Sequence, residues 1–131
     1  MSYRLSNIVI PIDPSGCVLL LRRGPSDPWM PGFWNFPGGG QEESDRSSAH
    51  GAARELAEES GIALTPDQLT WWFSYRADGL VNVFYVHLAS RPPVTCPDGE
   101  HDRYGWFAPR GLLPVRLLPS TAFLWSKLTG R

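Results

Sequence analysis

Two apolar runs open the chain. Residues 5–12 and 17–22 are rich in Leu, Ile and Val, and Asp13-Pro14-Ser15-Gly16 between them supplies turn residues, so the pattern predicts a β-hairpin. From 24 to 40 the chain carries Pro25, Pro28, Pro31, Pro37 and five glycines, which predicts a loop with no regular element. That loop also holds Trp29, Phe33, Trp34 and Phe36. The pattern turns helical from about Ser47 to Ser60. Ser47 or Asp45 can cap its start, alanines and Leu56 form an apolar stripe, and Gly61-Ile62 ends it. Leu69–Arg76 and Leu80–Leu88 flank Ala77-Asp78-Gly79 and predict a second hairpin, followed by a short strand at Tyr104–Phe107. Ser120–Thr129, behind Pro119, predicts a closing helix with Leu124 and Leu128 inward. Strands, helix, strands and helix in that order predict an α/β (α+β) fold, a mixed β-sheet sandwiched between helices. With no repeat, low-complexity tract or linker, residues 1–131 read as one domain.

Composition narrows the function classes. Of 131 residues, 42% are hydrophobic and 19% charged, and 12 basic against 13 acidic residues leave a net charge of -1. Such a balance gives no field for nonspecific binding to nucleic acid or a membrane surface, so no stable nucleic-acid partner is expected. No apolar stretch reaches the roughly 18 residues of a membrane span, and the opening Met-Ser-Tyr-Arg-Leu-Ser is unlike a signal peptide; a soluble cytoplasmic protein, monomer or homodimer, is expected. Cys17 and Cys96 form no metal or disulfide framework. Eleven of the basic residues are Arg, which suits phosphate contacts and is equally explained by codon usage. Six acids (Glu42, Glu43, Asp45, Glu55, Glu58 and Glu59) crowd into eighteen residues.

The chemistry concentrates on the first helix. Glu55, Glu58 and Glu59 are spaced three and four apart, so their carboxylates share one side while Leu56 points to the core. At a separation of about 6 Å each pair repels by about 0.7 kcal/mol in water and about 3 kcal/mol at an effective dielectric near 20. Arg54 offers one positive charge against three negative ones. A hard divalent cation, Mg²⁺ or Mn²⁺, fits oxygen ligands of this kind, especially where phosphates complete its shell. An isolated acidic triplet is most often a solvated helix face. Here Pro37-Gly38-Gly39-Gly40 lies just ahead, and glycines let backbone approach a ligand closely.

With these residues in place, the sequence resembles the Nudix hydrolase family. Gly40, Arg54, Glu55, Leu56, Glu58, Glu59, Gly61 and Ile62 fall at the spacing of its twenty-three-position signature. The departure is Arg46, which stands where the family carries a glutamate that helps orient the helix arginine or the metal shell; Asp45, Glu42 or Glu43 are the available substitutes. Trp34-Asn35-Phe36-Pro37-Gly38-Gly39 resembles the strand and turn leading into the box, Leu19–Arg23 the strand whose terminal Arg meets phosphate, and Glu100–Phe107 the loop and strand that bring a further Glu to the site.

The resemblance implies hydrolysis of a pyrophosphate bond in a nucleoside diphosphate-linked small molecule, with Glu55, Glu59, Glu58 and a backbone carbonyl at Gly39 or Gly40 holding Mg²⁺ or Mn²⁺. It further implies Glu58 or Glu100 as base, Arg54 as orienting partner, and Arg23, Trp34 and Phe36 at the substrate. At 131 residues the extra N-terminal sheet of many nucleotide-sugar-specific members is not expected, which points first to a (deoxy)nucleoside triphosphate cleaved to monophosphate and pyrophosphate. Alternatives are a catalytically weak nucleotide-binding or sensor module, or a hydrolase of nucleotide sugars or dinucleotides. An isoprenyl diphosphate isomerase is disfavoured for want of a Cys in a plausible motif. His50, His87 and His101 lack ligand spacing and read as structural or surface residues.

Overall fold

Alternate side chains of the first strand enter different cores. The structure, a computed structural model, describes residues 4–111, 113 and 115–130. Of the opening hexapeptide, residues 1–3 lie outside the described residues. In β1 (Leu5–Ile12) Val9 packs on one face of the sheet and Ile10 on the other; in β2 (Val18–Arg23) Leu19 and Leu21 oppose Val18 and Leu20. This period-two division explains why both runs are apolar throughout, because a sheet covered on both sides has no solvent face.

One face is covered by α1 (Ser48–Ser60), which contributes Ala52, Ala53 and Leu56 to a core with Val9, Leu19 and Phe84. The other is covered by α2 (Pro119–Thr129), whose Leu124 is fully buried and whose Leu128 packs partly buried against Ile10, Leu20 and Val83. Both inward leucines lie where the sequence placed them. Between the helices β5 (Thr70–Ala77) and β6 (Gly79–His87) form the second expected hairpin, and β7 (His101–Phe107) pairs antiparallel with β2. β6 runs parallel to β1 from Leu5↔Leu80 to Ile12↔His87, so the sheet is mixed.

Three expectations change. The loop over 24–40 contains β3 (Trp34–Asn35), paired with β2, and β4 (Gly38–Gly40), paired with β1. Glycines weaken a strand on their own, but an open β1 edge supplies partners for the backbone. The opening hairpin closes only at its turn. Asp13 accepts from the Ser15 and Cys17 N–H groups there, and Ile12↔Val18 is the register of the β1–β2 pairing. Beyond it β1 pairs with β4 and β2 with β3 and β7, so the two strands part. The last strand begins at His101, three residues earlier than the sequence pattern suggests. No helix among the described residues is long and apolar enough to cross a membrane.

Candidate active site

The site is built where β4 meets α1. Ser47, in extended conformation, caps the helix by accepting from the His50 N–H at 3.1 Å, and Gly61 closes it at φ 79°, a left-handed position that favours glycine. These ends fix the helix rotation. Leu56 is fully buried, and Glu55, Glu58 and Glu59 line a cavity together with Gly38 and Gly39 of β4.

Close backbone approach is what β4 contributes. The Gly38 N–H donates to Glu59 Oε1 at 2.8 Å. A methyl group on Gly39 would lie 2.5 Å from the Glu55 carboxyl carbon, so only glycine there lets that carboxylate rest against the strand. Arg54 then ties helix to loop: Nη1 donates to Glu55 Oε1 and Glu58 Oε1, each at 3.0 Å, and Nη2 to the Gly40 carbonyl at 2.9 Å. Asp45, its side chain wholly buried, receives Arg54 Nε at 2.9 Å and Nη2 at 3.0 Å as a two-pronged pair. Arg46 is exposed.

A cavity of about 310 Å³ gathers Arg23, Gly38, Gly39, Glu55, Glu58, Glu59, Asp98 and Glu100. Electrostatics there is strongly uneven. Burial pushes the Glu59 carboxyl up to about 9, aided by the negative charges of Glu55, Asp98 and Glu100 against the lowering effect of the Gly38 N–H. Glu55 is also raised, by burial ahead of all else. Asp45 is held down at about 2, chiefly by its bond to Arg54, and Arg54 is raised by the same bond. The buried carboxylates of the cavity therefore face each other without enough positive charge, while the pair behind them is internally balanced.

Of the sequence-derived set, Arg23, Gly39, Glu55, Glu58, Glu59 and Glu100 line this cavity, with Arg54 and Gly40 directly behind it. Arg23 is partly committed, since Nη2 pairs with Asp27 at 2.6 Å, Nε donates to the Trp29 carbonyl, and the guanidinium lies 5.1 Å from the Trp29 ring centre. Trp34 sits edge-on to Phe107, away from the acidic cavity, and Phe36 is 3% exposed and stacked on Trp125. Phe36 still lines an adjoining cavity, where the exposed aromatic is Trp29.

Sequence reasoning missed Asp98. It sits in Pro97-Asp98-Gly99, where Oδ1 accepts from the Glu100 and His101 N–H groups and shapes the turn that aims the loop at α1. Glu59, Asp98 and His101 offer potential ligand atoms within 4.8 Å of one another. His101 is buried and already bridged, with Nδ1 facing Asp98 Oδ2 and Nε2 facing Asn35 Oδ1, in keeping with a structural role. The turn-forming Pro-Asp-Gly was the available signal for Asp98.

A mixed sheet between helices, with a carboxylate-bearing helix pressed against a glycine strand, is the arrangement of one known class of domain. The NUDIX domain family matches residues 2–124, and this chain belongs to that family. Among curated proteins no match emerges. Of solved structures, the MutT NUDIX hydrolase from Burkholderia pseudomallei is 27% identical, with 96% of this chain and 98% of that chain covered and a TM-score of 0.72. The MutT protein from Methanosarcina mazei Go1 is 25% identical, with 98% and 94% covered and a TM-score of 0.72. The NUDIX domain of Shewanella oneidensis NrtR, solved with ADP ribose, shares the fold at a TM-score of 0.80 and 18% identity, with 100% and 89% covered.

Proposed function

We propose that this chain is a divalent-metal-dependent pyrophosphohydrolase of nucleoside diphosphate-linked substrates, acting first on a (deoxy)nucleoside triphosphate to release monophosphate and pyrophosphate. One observation carries the reading: Glu59 is 7% exposed among Glu55, Asp98 and Glu100, and no cation is paired with it among the described residues. A buried carboxylate in such company is protonated at neutral pH unless a cation joins it.

The donor set fits Mg²⁺ or Mn²⁺, since it consists of hard oxygens. Glu55, Glu58 and Glu59 would hold the ion; the Gly40 carbonyl already accepts from Arg54, which favours Gly39 as the backbone donor. When bound, the ion supplies positive charge against adjacent phosphates and makes water more acidic. Arg23, shared by the acidic cavity and its neighbour, faces the phosphate chain. The adjoining cavity takes the nucleoside between Trp29 and Tyr75, with Phe36 as its floor, while Trp34 packs on the core that holds Phe36. Hydrolysis forms a bond from water oxygen to phosphorus and breaks a bridging P–O bond. Glu58, half exposed, or Glu100 receives the proton. The charge balance of the chain supports a small nucleotide rather than nucleic acid as the partner, with the protein working in the cytoplasm as monomer or homodimer.

A panel of nucleoside triphosphates, extended by ADP-ribose and a dinucleotide, tests this when incubated with Mg²⁺ and scored for products. Monophosphate plus pyrophosphate, lost on chelation, is the expected result. Binding without any product would make the chain a sensor module.

A further inference from the structure

The acidic face of α1 has a competitor for its own metal. Arg54 Nη1 touches Glu55 and Glu58, and an unrestrained guanidinium would fold onto those carboxylates and neutralise part of the charge a divalent ion needs. Asp45 counters this from outside the helix. It takes Nε and Nη2 of Arg54 together, and its own place is fixed by a bond from the Glu42 N–H to Oδ2 at 2.8 Å and by full burial.

We propose that Asp45 is a positioning residue for metal binding. It orients Arg54 and offsets its charge, so that the guanidinium, which touches Glu55 and Glu58, does not take the place of the ion there. Arg54 Nη2 is held at the same time on the Gly40 carbonyl, which anchors β4 to the helix. Asp45 acts from one position ahead of Arg46, the exposed residue at which the sequence departs from the signature, and the fork gives Arg54 the acidic partner that this departure removes. The inference rests on the metal-dependent reading above.

The test compares wild type, Asp45→Asn, Arg46→Glu, the Asp45→Asn/Arg46→Glu double variant and Arg54→Lys. Mn²⁺ affinity is read by electron paramagnetic resonance without nucleotide, beside pyrophosphate release and Tm. Asp45→Asn is expected to weaken Mn²⁺ binding about tenfold to a hundredfold. Arg54→Lys, which keeps the charge but cannot form the fork, is expected to do the same and serves if the first variant does not fold. The double variant recovers part of the affinity, whereas Arg46→Glu alone stays within about twofold of wild type, a pattern that a loss of Tm by itself does not produce. Wild-type affinity in Asp45→Asn or in Arg54→Lys overturns the inference, as does a gain of affinity in Arg46→Glu alone. Wild type that binds Mn²⁺ but cleaves no nucleotide defeats the hydrolase reading, and the Mn²⁺ comparison still decides the role of Asp45. Wild type that binds no Mn²⁺ defeats both.

Discussion

The Gly38 N–H and Glu59 Oε1 meet at 2.8 Å, and this is the bond by which the glycine strand grips the acidic helix. A single backbone donor does not offset the loss of water around a nearly buried carboxylate, which is why Glu59 stands at about 9 rather than near its usual value.

Glu59→Gln should separate charge from shape. The amide oxygen can still accept from Gly38, so the fold is expected to persist with a metal-free Tm equal to or above wild type. Turnover is expected to fall by about two orders of magnitude or more. Thermal melts and initial rates check both; undiminished turnover would remove Glu59 from the metal shell.

The metal-free protein should lose stability as pH rises. The folded-state value of Glu59 lies above its unfolded value of 4.5, so between that value and about 9 the folded state holds the extra proton and each step up in pH favours unfolding. Asp13 and Asp45, both at about 2, act oppositely: their contribution is present above 3.8 and is lost as pH falls towards 2. Melts over this range, with and without Mg²⁺, should show a decline on the alkaline side that saturating metal reduces.

Metal binding at neutral pH should expel about one proton, because the carboxyl that receives the ion is protonated beforehand. Titration calorimetry in buffers of differing ionisation enthalpy reads this number. Glu59→Gln should bring it close to zero.

Gly39→Ala should disable the site while sparing the core. Its methyl group meets the Glu55 carboxylate at 2.5–2.6 Å, so Glu55 must swing away. A fall in turnover of about a hundredfold is expected, with weaker Mg²⁺ dependence and a change in Tm of a few degrees.

The helix, its caps and the acidic face were legible in the chain because each depends on neighbours three or four residues away. Ser47, Leu56, Glu55 and Gly61 all stand as their spacing implied. The strands at Trp34–Asn35 and Gly38–Gly40 were not, since they exist only through partners on β2 and β1. The same holds for Phe36, whose type suits either a core or a stacking platform: it stacks on Trp125 in the core and also lines the cavity beside the acidic site. Asp98 lay hidden, and the choice among Asp45, Glu42 and Glu43 as partner of Arg54 lay open, for a related reason: each acts on a residue across a turn, and pattern along the chain does not record which way a turn aims its side chains.

The fork bears on how far the acid in such a box can wander. What Arg54 requires is a buried oxygen pair within reach of two of its nitrogens, and the loop from Gln41 to Ser47 can deliver that from a neighbouring position by a small change of path. Chains that lack a glutamate at the customary place, yet keep an aspartate beside it, belong among the candidates for working enzymes.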